Sequence, residues 1–276
     1  MGKMTVNLPD HSMGLFLGRE KEARRLQVAI HARQSLMIAG PEGIGKTALV
    51  SKVIAELSPA MRQRCIYVSS VKDLHDLLRQ LIRSLFEAED AGLRRELHAA
   101  GVSKPGLDVW FKSLSTSRLR GTLYRTVQGN DYRIFLDHFP PLTRGMARVI
   151  KELFWMRATP VYLVPKQPAA IMAGVASHYF YWGERELLNL RPLPAHLARE
   201  ILEACIQRFG LARLDLEGFR EEVLELSRLV PGAIVTMCEM AADPHYQFDS
   251  QIKTKLVHID YLMRGCAANF DSARTP

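Results

Sequence analysis

One eight-residue segment of the sequence has the residue types and spacing of a phosphate-binding loop. Residues 40–47 read Gly-Pro-Glu-Gly-Ile-Gly-Lys-Thr, a complete G-x-x-x-x-G-K-[ST] pattern that follows a short apolar run and opens a helical pattern. Glycines let backbone N–H groups turn toward phosphate oxygens, and a helix N-terminus adds a field that favours anions. Lys46 is predicted to reach the β- and γ-phosphates, and Thr47 to bind Mg²⁺. The predicted contact residues are Gly40, Pro41, Glu42, Gly43, Ile44, Gly45, Lys46, Thr47 and Ala48.

A carboxylate at the end of an apolar strand is expected to help hold that Mg²⁺ ion. Residues 134–137 read Ile-Phe-Leu-Asp, and they come after the loop and after one intervening predicted strand. Asp137 is therefore predicted to bind the metal together with Thr47. The alternative interpretation is that Asp137 caps a following helix, because a short hydrophobic run that ends in aspartate is common.

The residue after Asp137 bears on whether a bound nucleotide is hydrolysed. Hydrolytic phosphate-loop proteins usually place a glutamate or aspartate there, but this chain has His138. A neutral imidazole can accept a proton from water, so His138 is a candidate catalytic residue. A buried or structural histidine is the alternative. In either case we expect slow hydrolysis.

The composition is that of a globular protein with two domains. The 276 residues are 47% hydrophobic and 24% charged, with a net charge of +8. These values exclude a disordered chain, and no apolar stretch has the length of a membrane-spanning helix. No secretory signal is recognised, and the four cysteines lie far apart, as expected of free thiols in a reducing compartment. We therefore expect a cytoplasmic protein.

Hydrophobic periodicity predicts an α/β domain followed by a small helical domain. Buried strands are expected at residues 35–39, 65–69, 133–137, 161–164 and 187–190, and helices alternate with them. Between residues 88 and 130 the helices are expected to break at Gly92, Gly101, Pro105-Gly106 and Gly121. After Pro192 only helical patterns follow. The predicted divisions are a flexible N-terminus at 1–14, an α/β domain at 15–191, a helical domain at 192–264 and a flexible tail at 265–276.

A second motif gives the chain a family resemblance. Phe16-Leu-Gly-Arg-Glu20, upstream of the phosphate loop, resembles the h-h-G-R-E box of AAA+ and STAND ATPases. It is most similar to the replication-initiator, archaeal-ATPase and transposition-regulator branches, and the element order agrees over residues 15–264. The resemblance implies ATP with Mg²⁺, and a parallel five-stranded sheet of order 5-1-4-3-2 with a helical lid. It also implies adenine contacts from Leu17, Gly18 and Arg19.

The same resemblance assigns further positions and shows three departures. Arg185, in Gly183-Glu184-Arg185, corresponds to an arginine that often contacts a neighbouring subunit's γ-phosphate; a plain surface arginine is the alternative. Pro231 opens a lid helix near the nucleotide. However, Gly232 stands where an arginine often follows that proline, and Pro165-Lys166 stands where Ser, Thr or Asn is usual. Together with His138, these departures affect the positions that relatives use for ATP hydrolysis and nucleotide sensing. The residues that bind the nucleotide match the family pattern.

The partner and the pathway are less determined by the sequence. A basic segment, residues 112–133, could contact non-sequence-specific DNA, with Trp110, Phe111 and Tyr124 near it for base stacking; a solvated helix face is the alternative. We predict a nucleotide-gated switch or adaptor that self-associates with ATP and assembles on DNA, as transposition regulators or loaders do. The alternative is a STAND-type signalling switch with protein partners. The basic side chains proposed for DNA are Lys112, Arg118, Arg120 and Arg125.

Overall fold

Five short strands form one parallel sheet. The computed structural model describes residues 16–102, 106–128, 130–155, 160–165 and 186–273. The strands are β1 (Leu36–Ala39), β2 (Cys65–Val68), β3 (Arg133–Phe139), β4 (Val161–Pro165) and β5 (Leu187–Asn189). Their order is β2-β3-β4-β1-β5, and every pairing is parallel. The predicted order 5-1-4-3-2 is thereby confirmed. All residues of β1 and β4 are buried, as expected of strands covered on both faces.

Eight helices accompany these strands in the described part of the chain. One of them, Leu74–Glu87, has a continuous apolar stripe (Leu77, Leu78, Leu81, Ile82 and Leu85) that is completely buried. This stripe packs in the same core as Ile134 and Leu136 of β3. The helices are α1 (Glu20–His31), α2 (Lys46–Glu56), α3 (Pro59–Arg62), α4 (Leu74–Glu87), α5 (Ala91–Ala99), α6 (Leu107–Ser113), α7 (Thr116–Val127) and α8 (Arg144–Trp155).

Two of the glycines predicted to interrupt helices do not do so. Gly92 lies in the first turn of α5, and Gly121 lies in the interior of α7. A helical glycine costs only about 1 kcal/mol relative to alanine. Burial of Leu119 and Leu123, both fully inaccessible to solvent, outweighs that cost in α7. The predicted break at Gly101 is confirmed, because this residue follows α5 with φ at 68°.

The chain divides into two compact units. The first contains Arg19–Pro41 and Lys46–Leu190 and holds the sheet. The second begins at Arg191, one residue before the boundary predicted from the sequence, and it also includes residues 16–18 and 42–45. The assignment of these two short segments to the second unit was not anticipated, because it depends on contacts with residues far along the chain. Residues 1–14, predicted to be a flexible N-terminus, lie outside the described residues.

The second unit consists mainly of helices. They are α9 (Ala195–Arg208), α10 (Phe219–Leu226), α11 (Pro231–Ala241) and α12 (Thr254–Ala273), and a short hairpin of β6 (Gln247–Phe248) and β7 (Gln251–Ile252) precedes α12. The hairpin was not predicted. Helix α12 continues past Arg264, the predicted end of the helical domain, because a single glycine at position 265, followed by a cysteine and two alanines, does not stop a helix. Among the described residues, no helix is both long enough and apolar enough to cross a membrane.

Three cysteines are free thiols in the interior. Cys65 lies on β2, Cys205 on α9 and Cys238 on α11, and all three are buried. Cys205 and Cys238 lie close enough to shift each other's pKa, which is lowered for Cys205 and raised for Cys238. Burial raises the pKa of Cys65 to about 12, so this thiol remains protonated and unreactive at neutral pH.

Candidate nucleotide-binding site

The predicted phosphate loop connects β1 to α2 and has a backbone that requires glycine. Gly40, Gly43 and Gly45 have φ angles of 147°, 74° and 98°, values that side chains with a Cβ atom rarely adopt. Between them, Ile44 is 1% exposed and anchors the loop in the interior. The three glycines of the motif therefore serve the backbone path, and the isoleucine fixes the position of the loop.

The side chain of Lys46 folds across its own loop. Its ammonium donates hydrogen bonds to the carbonyl oxygens of Gly40 at 2.8 Å and Pro41 at 2.9 Å. A flexible four-carbon stem allows this ammonium to exchange one oxygen acceptor for another. The lysine is thus held at the loop, and its contact with the β- and γ-phosphates stays a prediction.

Asp137 is buried at the carboxyl end of β3 and stays ionised. Its Oδ2 accepts from the Tyr67 hydroxyl at 2.5 Å, and its Oδ1 accepts from the His138 backbone N–H at 2.7 Å. The Thr47 side chain lies close enough to this carboxyl to help lower its pKa. Burial raises the pKa of Asp137, but its interactions with His138, Tyr67 and Thr47 together outweigh burial and hold the pKa below its ordinary value. A carboxylate and a hydroxyl are thus adjacent, the oxygen donors that Mg²⁺ accepts beside nucleotide phosphates.

His138 occupies a distorted position beside this carboxylate. The pairing of β3 with β4 shifts register between Leu136 and Phe139, and His138 has φ at 46°. Bulges of this kind redirect a side chain and occur frequently next to functional sites. The imidazole is 52% exposed, and its Nδ1 lies 3.3 Å from Asp137 Oδ1. His138 is therefore not buried, and its side chain is accessible to solvent beside Asp137, whereas the choice between a catalytic and a structural role stays a prediction.

Tyr67 is a site residue that the sequence analysis missed. In the parallel pairing of β2 with β3, Tyr67 is opposite Phe135, so its side chain and that of Asp137, two residues further on, share a face of the sheet. Burial and the Asp137 carboxylate raise the pKa of the Tyr67 hydroxyl well above its usual range, so it remains a donor. The only signal in the sequence was a polar-tipped aromatic residue within an apolar strand.

We expect Tyr67→Phe to lower the free energy of unfolding by about 1–3 kcal/mol, because it leaves a buried carboxylate oxygen without its donor. The measurement is denaturant unfolding of Tyr67→Phe, Asp137→Asn and the double variant. The cost of Tyr67→Phe should fall to less than half in the Asp137→Asn background. Tyr132→Phe, which removes the hydroxyl donated to Asp90 at 2.6 Å, is the matched control and should cost the same in both backgrounds. Equal costs of Tyr67→Phe in both backgrounds would contradict the coupling.

The predicted adenine-binding box has clear structural roles. Gly18 has φ at 68°, and a Cβ atom there would lie 2.3 Å from Cδ1 of Leu197 on α9. Arg19 is 5% exposed, and its Nη1 pairs with Glu22 Oε1 at 3.2 Å. Leu17 is half-buried. Contacts of Leu17, Gly18 and Arg19 with adenine stay predictions.

The middle of the phosphate loop contacts helix α11 within the second unit. Pro231 occupies the first helical position of α11, and the Gly232 N–H donates to the carbonyl oxygen of Gly43 at 2.8 Å. Tyr261 of α12 lies near Glu42 of the loop. Burial, and in second place the Glu42 carboxylate, raises the pKa of the Tyr261 hydroxyl. The predicted nucleotide-binding residues Gly43 and Pro231 are therefore brought together.

The remaining predicted sensor positions are only partly described. Pro165 ends β4 and is paired with Phe139 of β3. Lys166 and the candidate arginine finger, Arg185, lie outside the described residues. The role assigned to Arg185 stays a prediction.

The aromatic residues proposed for base stacking are used elsewhere. Phe111 is fully buried in the core, and Trp110 packs against it with ring centroids 5.4 Å apart. The Tyr124 hydroxyl donates to the carboxylate of Glu152. Phe111 is therefore not available to stack on a nucleic-acid base, a correction that only its burial reveals.

The basic segment is partly neutralised by acidic neighbours. Arg125 forms an ion pair with Glu96 at 2.6 Å, and Arg120 lies close enough to Glu152 to help lower the pKa of that carboxyl. Lys112 and Arg118 are exposed. The surface that the segment offers to an anionic partner is therefore smaller than the sequence suggests.

Comparison with protein families gives a sequence match. The profile of the AAA ATPase domain matches residues 15–215, which include the phosphate loop, Asp137 and the start of the helical unit. No curated protein matches the chain by sequence at a significant level.

Solved structures with the same fold include a Walker-type ATPase, an Orc1 protein and a Cdc6p protein. A Walker-type ATPase of Pyrococcus abyssi is 14% identical with a TM-score of 0.60, covering 94% of this chain and 76% of that one. The Orc1 protein of Aeropyrum pernix, solved in complex with DNA, is 17% identical with a TM-score of 0.57, covering 92% and 68%. Cdc6p from Pyrobaculum aerophilum is 12% identical with a TM-score of 0.55, covering 85% and 63%. At these identities the likeness shows the fold.

Proposed function

Because this chain belongs to the AAA ATPase domain family, we propose that it binds ATP with Mg²⁺ and acts as a nucleotide-gated switch. The observation that carries this proposal is the position of Thr47, at the end of the phosphate loop, close to the buried Asp137 carboxylate, whose pKa it helps to lower. Free thiols in the interior support a cytoplasmic location.

Each predicted binding residue has a separate role in this proposal. Backbone N–H groups of the loop bind the phosphates, and the Lys46 ammonium leaves the carbonyls of Gly40 and Pro41 to contact the β- and γ-phosphates. Thr47 and Asp137 hold the Mg²⁺ ion, which when bound neutralises phosphate charge. Contacts with adenine are assigned to Leu17, Gly18 and Arg19, and Pro231 is assigned to the start of the lid helix near the nucleotide.

Slow hydrolysis is the second part of the proposal. His138, at the position next to Asp137, donates its backbone N–H to that carboxylate, and its imidazole Nδ1 is also directed there. A ring nitrogen engaged with Asp137 orients an attacking water less well than a carboxylate does. ATP binding and slow turnover together suit a switch that persists in its ATP form.

We expect the wild-type protein to hydrolyse ATP far more slowly than the roughly 1–10³ s⁻¹ of typical enzymes. His138→Glu should raise the rate of hydrolysis about tenfold. This increase is smaller than a well-placed general base usually provides, because glutamate is strained at φ near 46°. The measurement is phosphate release under saturating ATP, with Lys46→Ala as the background control. Rapid wild-type turnover that His138→Ala leaves intact would show that the catalytic position lies elsewhere.

Two partner classes follow from different observations. A DNA-assembling adaptor is supported by the exposed Lys112 and Arg118 and by the fold shared with an Orc1 protein that was solved with DNA. A STAND-type switch with a protein partner is supported by the ion pairing of Arg125 with Glu96 and by the burial of Phe111. We propose DNA as the first partner, bound through the phosphate backbone.

We expect a non-hydrolysable ATP analogue, but not ADP, to cause self-association, because only the analogue has the γ-phosphate that Arg185 is proposed to contact. Arg185→Lys should weaken this association and leave the monomer's ATP affinity unchanged, since lysine cannot donate two parallel hydrogen bonds. Arg213→Lys, at an exposed position of the second unit, is the matched control. The measurement is analytical ultracentrifugation with and without duplex DNA at several salt concentrations.

Two outcomes of that experiment contradict parts of the proposal. A protein that stays monomeric with every nucleotide, or assembles equally with all, contradicts the role of Arg185. Nucleotide-dependent assembly without salt-sensitive DNA binding contradicts the DNA partner and favours the STAND-type switch.

A further inference from the structure

Two glycines, one in the phosphate loop and one in helix α11, are in direct backbone contact. Both belong to the second unit, and the Gly232 N–H donates to the carbonyl oxygen of Gly43 at 2.8 Å. A Cβ atom added to Gly43 would lie 3.3 Å from Gly232 Cα and 3.4 Å from Val230 Cγ1. The loop and the first turn of α11 are therefore packed together without side chains between them.

The hydrogen bond satisfies a requirement of the helix. The first N–H groups of an α-helix have no partner within the helix. In α11 the first helical residue is Pro231, which has no N–H, so Gly232 supplies the first backbone donor of the helix itself. Because the Gly43 carbonyl accepts this hydrogen bond, the start of α11 and the phosphate loop satisfy each other's backbone groups.

The contact explains why position 232 is glycine. A Cβ atom there would lie 2.7 Å from Gly43 Cα and 2.8 Å from Gly43 O, distances that real Cβ atoms do not show. The backbone of Gly232 is helical and would accept alanine, which is a better helix former. Close approach to the loop, and not backbone conformation, therefore requires glycine at this position.

The direction of the Gly43 carbonyl determines the direction of the next amide. In a planar trans peptide the C=O of one residue and the N–H of the next point in opposite directions. With the Gly43 oxygen directed at α11, the Ile44 N–H is directed away from it. The buried Ile44 side chain and the φ angle of 74° at Gly43 hold this peptide from both ends.

We propose that Gly232 is a positioning residue for phosphate binding: its amide fixes the Gly43–Ile44 peptide so that the Ile44 N–H faces the phosphates of the nucleotide. This inference rests on the proposed function, in which the loop's N–H groups bind phosphate. Helix α11 thus acts on the phosphates through its backbone, at a position where resembling ATPases often place an arginine.

The test is Gly232→Ala, measured by calorimetry with ATP and with tripolyphosphate, which lacks the base and sugar. Loss of one hydrogen bond to a charged phosphate should weaken binding about tenfold or more, and equally for both ligands, because the effect is on the phosphates alone. Gly121→Ala is the matched control: it is also a helical glycine, but its nearest neighbour is the flexible guanidinium of Arg125 at 3.3 Å. Gly121→Ala should leave both affinities unchanged.

The possible outcomes separate this inference from the proposed function. A wild-type protein that fails to bind ATP contradicts the proposed function. If the wild type binds but Gly232→Ala retains or increases its affinity for tripolyphosphate, the positioning role is wrong. A loss confined to ATP also overturns it, since the defect would then lie at the base.

Hydrogen exchange keeps the inference testable if Gly232→Ala does not fold. The Gly232 amide of the wild type should be protected both in the free protein and with ADP bound, because the proposed contact persists during phosphate binding. Loss of that protection when ADP binds would overturn the inference.

Discussion

Replacing Lys46 by alanine is expected to lower the affinity for ATP by about tenfold to a hundredfold. The variant removes the cation aimed at the β- and γ-phosphates, and a hydrogen bond to a charged group contributes about 1.5–3 kcal/mol. It also removes the hydrogen bonds from Lys46 to the carbonyl oxygens of Gly40 and Pro41, so the loop should become more mobile when no nucleotide is bound. Isothermal titration calorimetry with ATP and Mg²⁺ measures the affinity.

The matched control for this prediction lies on the same helix. Lys52 is an exposed lysine of α2 that pairs with Glu56 at 3.0 Å, so Lys52→Ala removes a positive charge without touching the loop. Its ATP affinity should stay within about twofold of the wild type, because exposed ion pairs of this kind contribute little. Unchanged affinity of Lys46→Ala, or an equal loss in both variants, would contradict the assignment of the phosphate loop.

Replacing Asp137 by asparagine is expected to abolish the contribution of Mg²⁺ to nucleotide binding. Asparagine keeps the shape of the side chain but removes the charge, which is buried and held ionised by its hydrogen bonds. Affinity for ATP with Mg²⁺ should fall about tenfold, while affinity with EDTA should stay close to that of the wild type. The experiment is a calorimetric titration of each protein under both conditions.

A second aspartate provides the control for that measurement. Asp108 is exposed and pairs with Arg79 and Arg83 on α4, so Asp108→Asn removes a charge of the same sign away from the site. It should preserve the difference between the Mg²⁺ and EDTA titrations. If Asp137→Asn preserves that difference too, the assignment of Asp137 to the Mg²⁺ ion is wrong.

The sequence by itself determined the features that depend on neighbours along the chain. Residues 40–47 are contiguous, and each of their glycines has the positive φ that the motif implies. The apolar runs that became β1 and β4 are short and uninterrupted, so their burial could be predicted from hydrophobicity alone. The sheet order came from the family resemblance, because hydrophobic patterns do not state which strands are adjacent.

Tertiary structure alone decided which distant residues meet. Tyr67 reaches Asp137 only because β2 pairs with β3 in one register, and a shift by one residue would turn the tyrosine to the opposite face. Glycine at position 232 looked like the loss of a sensor arginine, yet it is required by a backbone contact with Gly43. Such contacts join segments far apart in the chain, and their distances follow from the packing of whole elements, which no local pattern of residue types encodes.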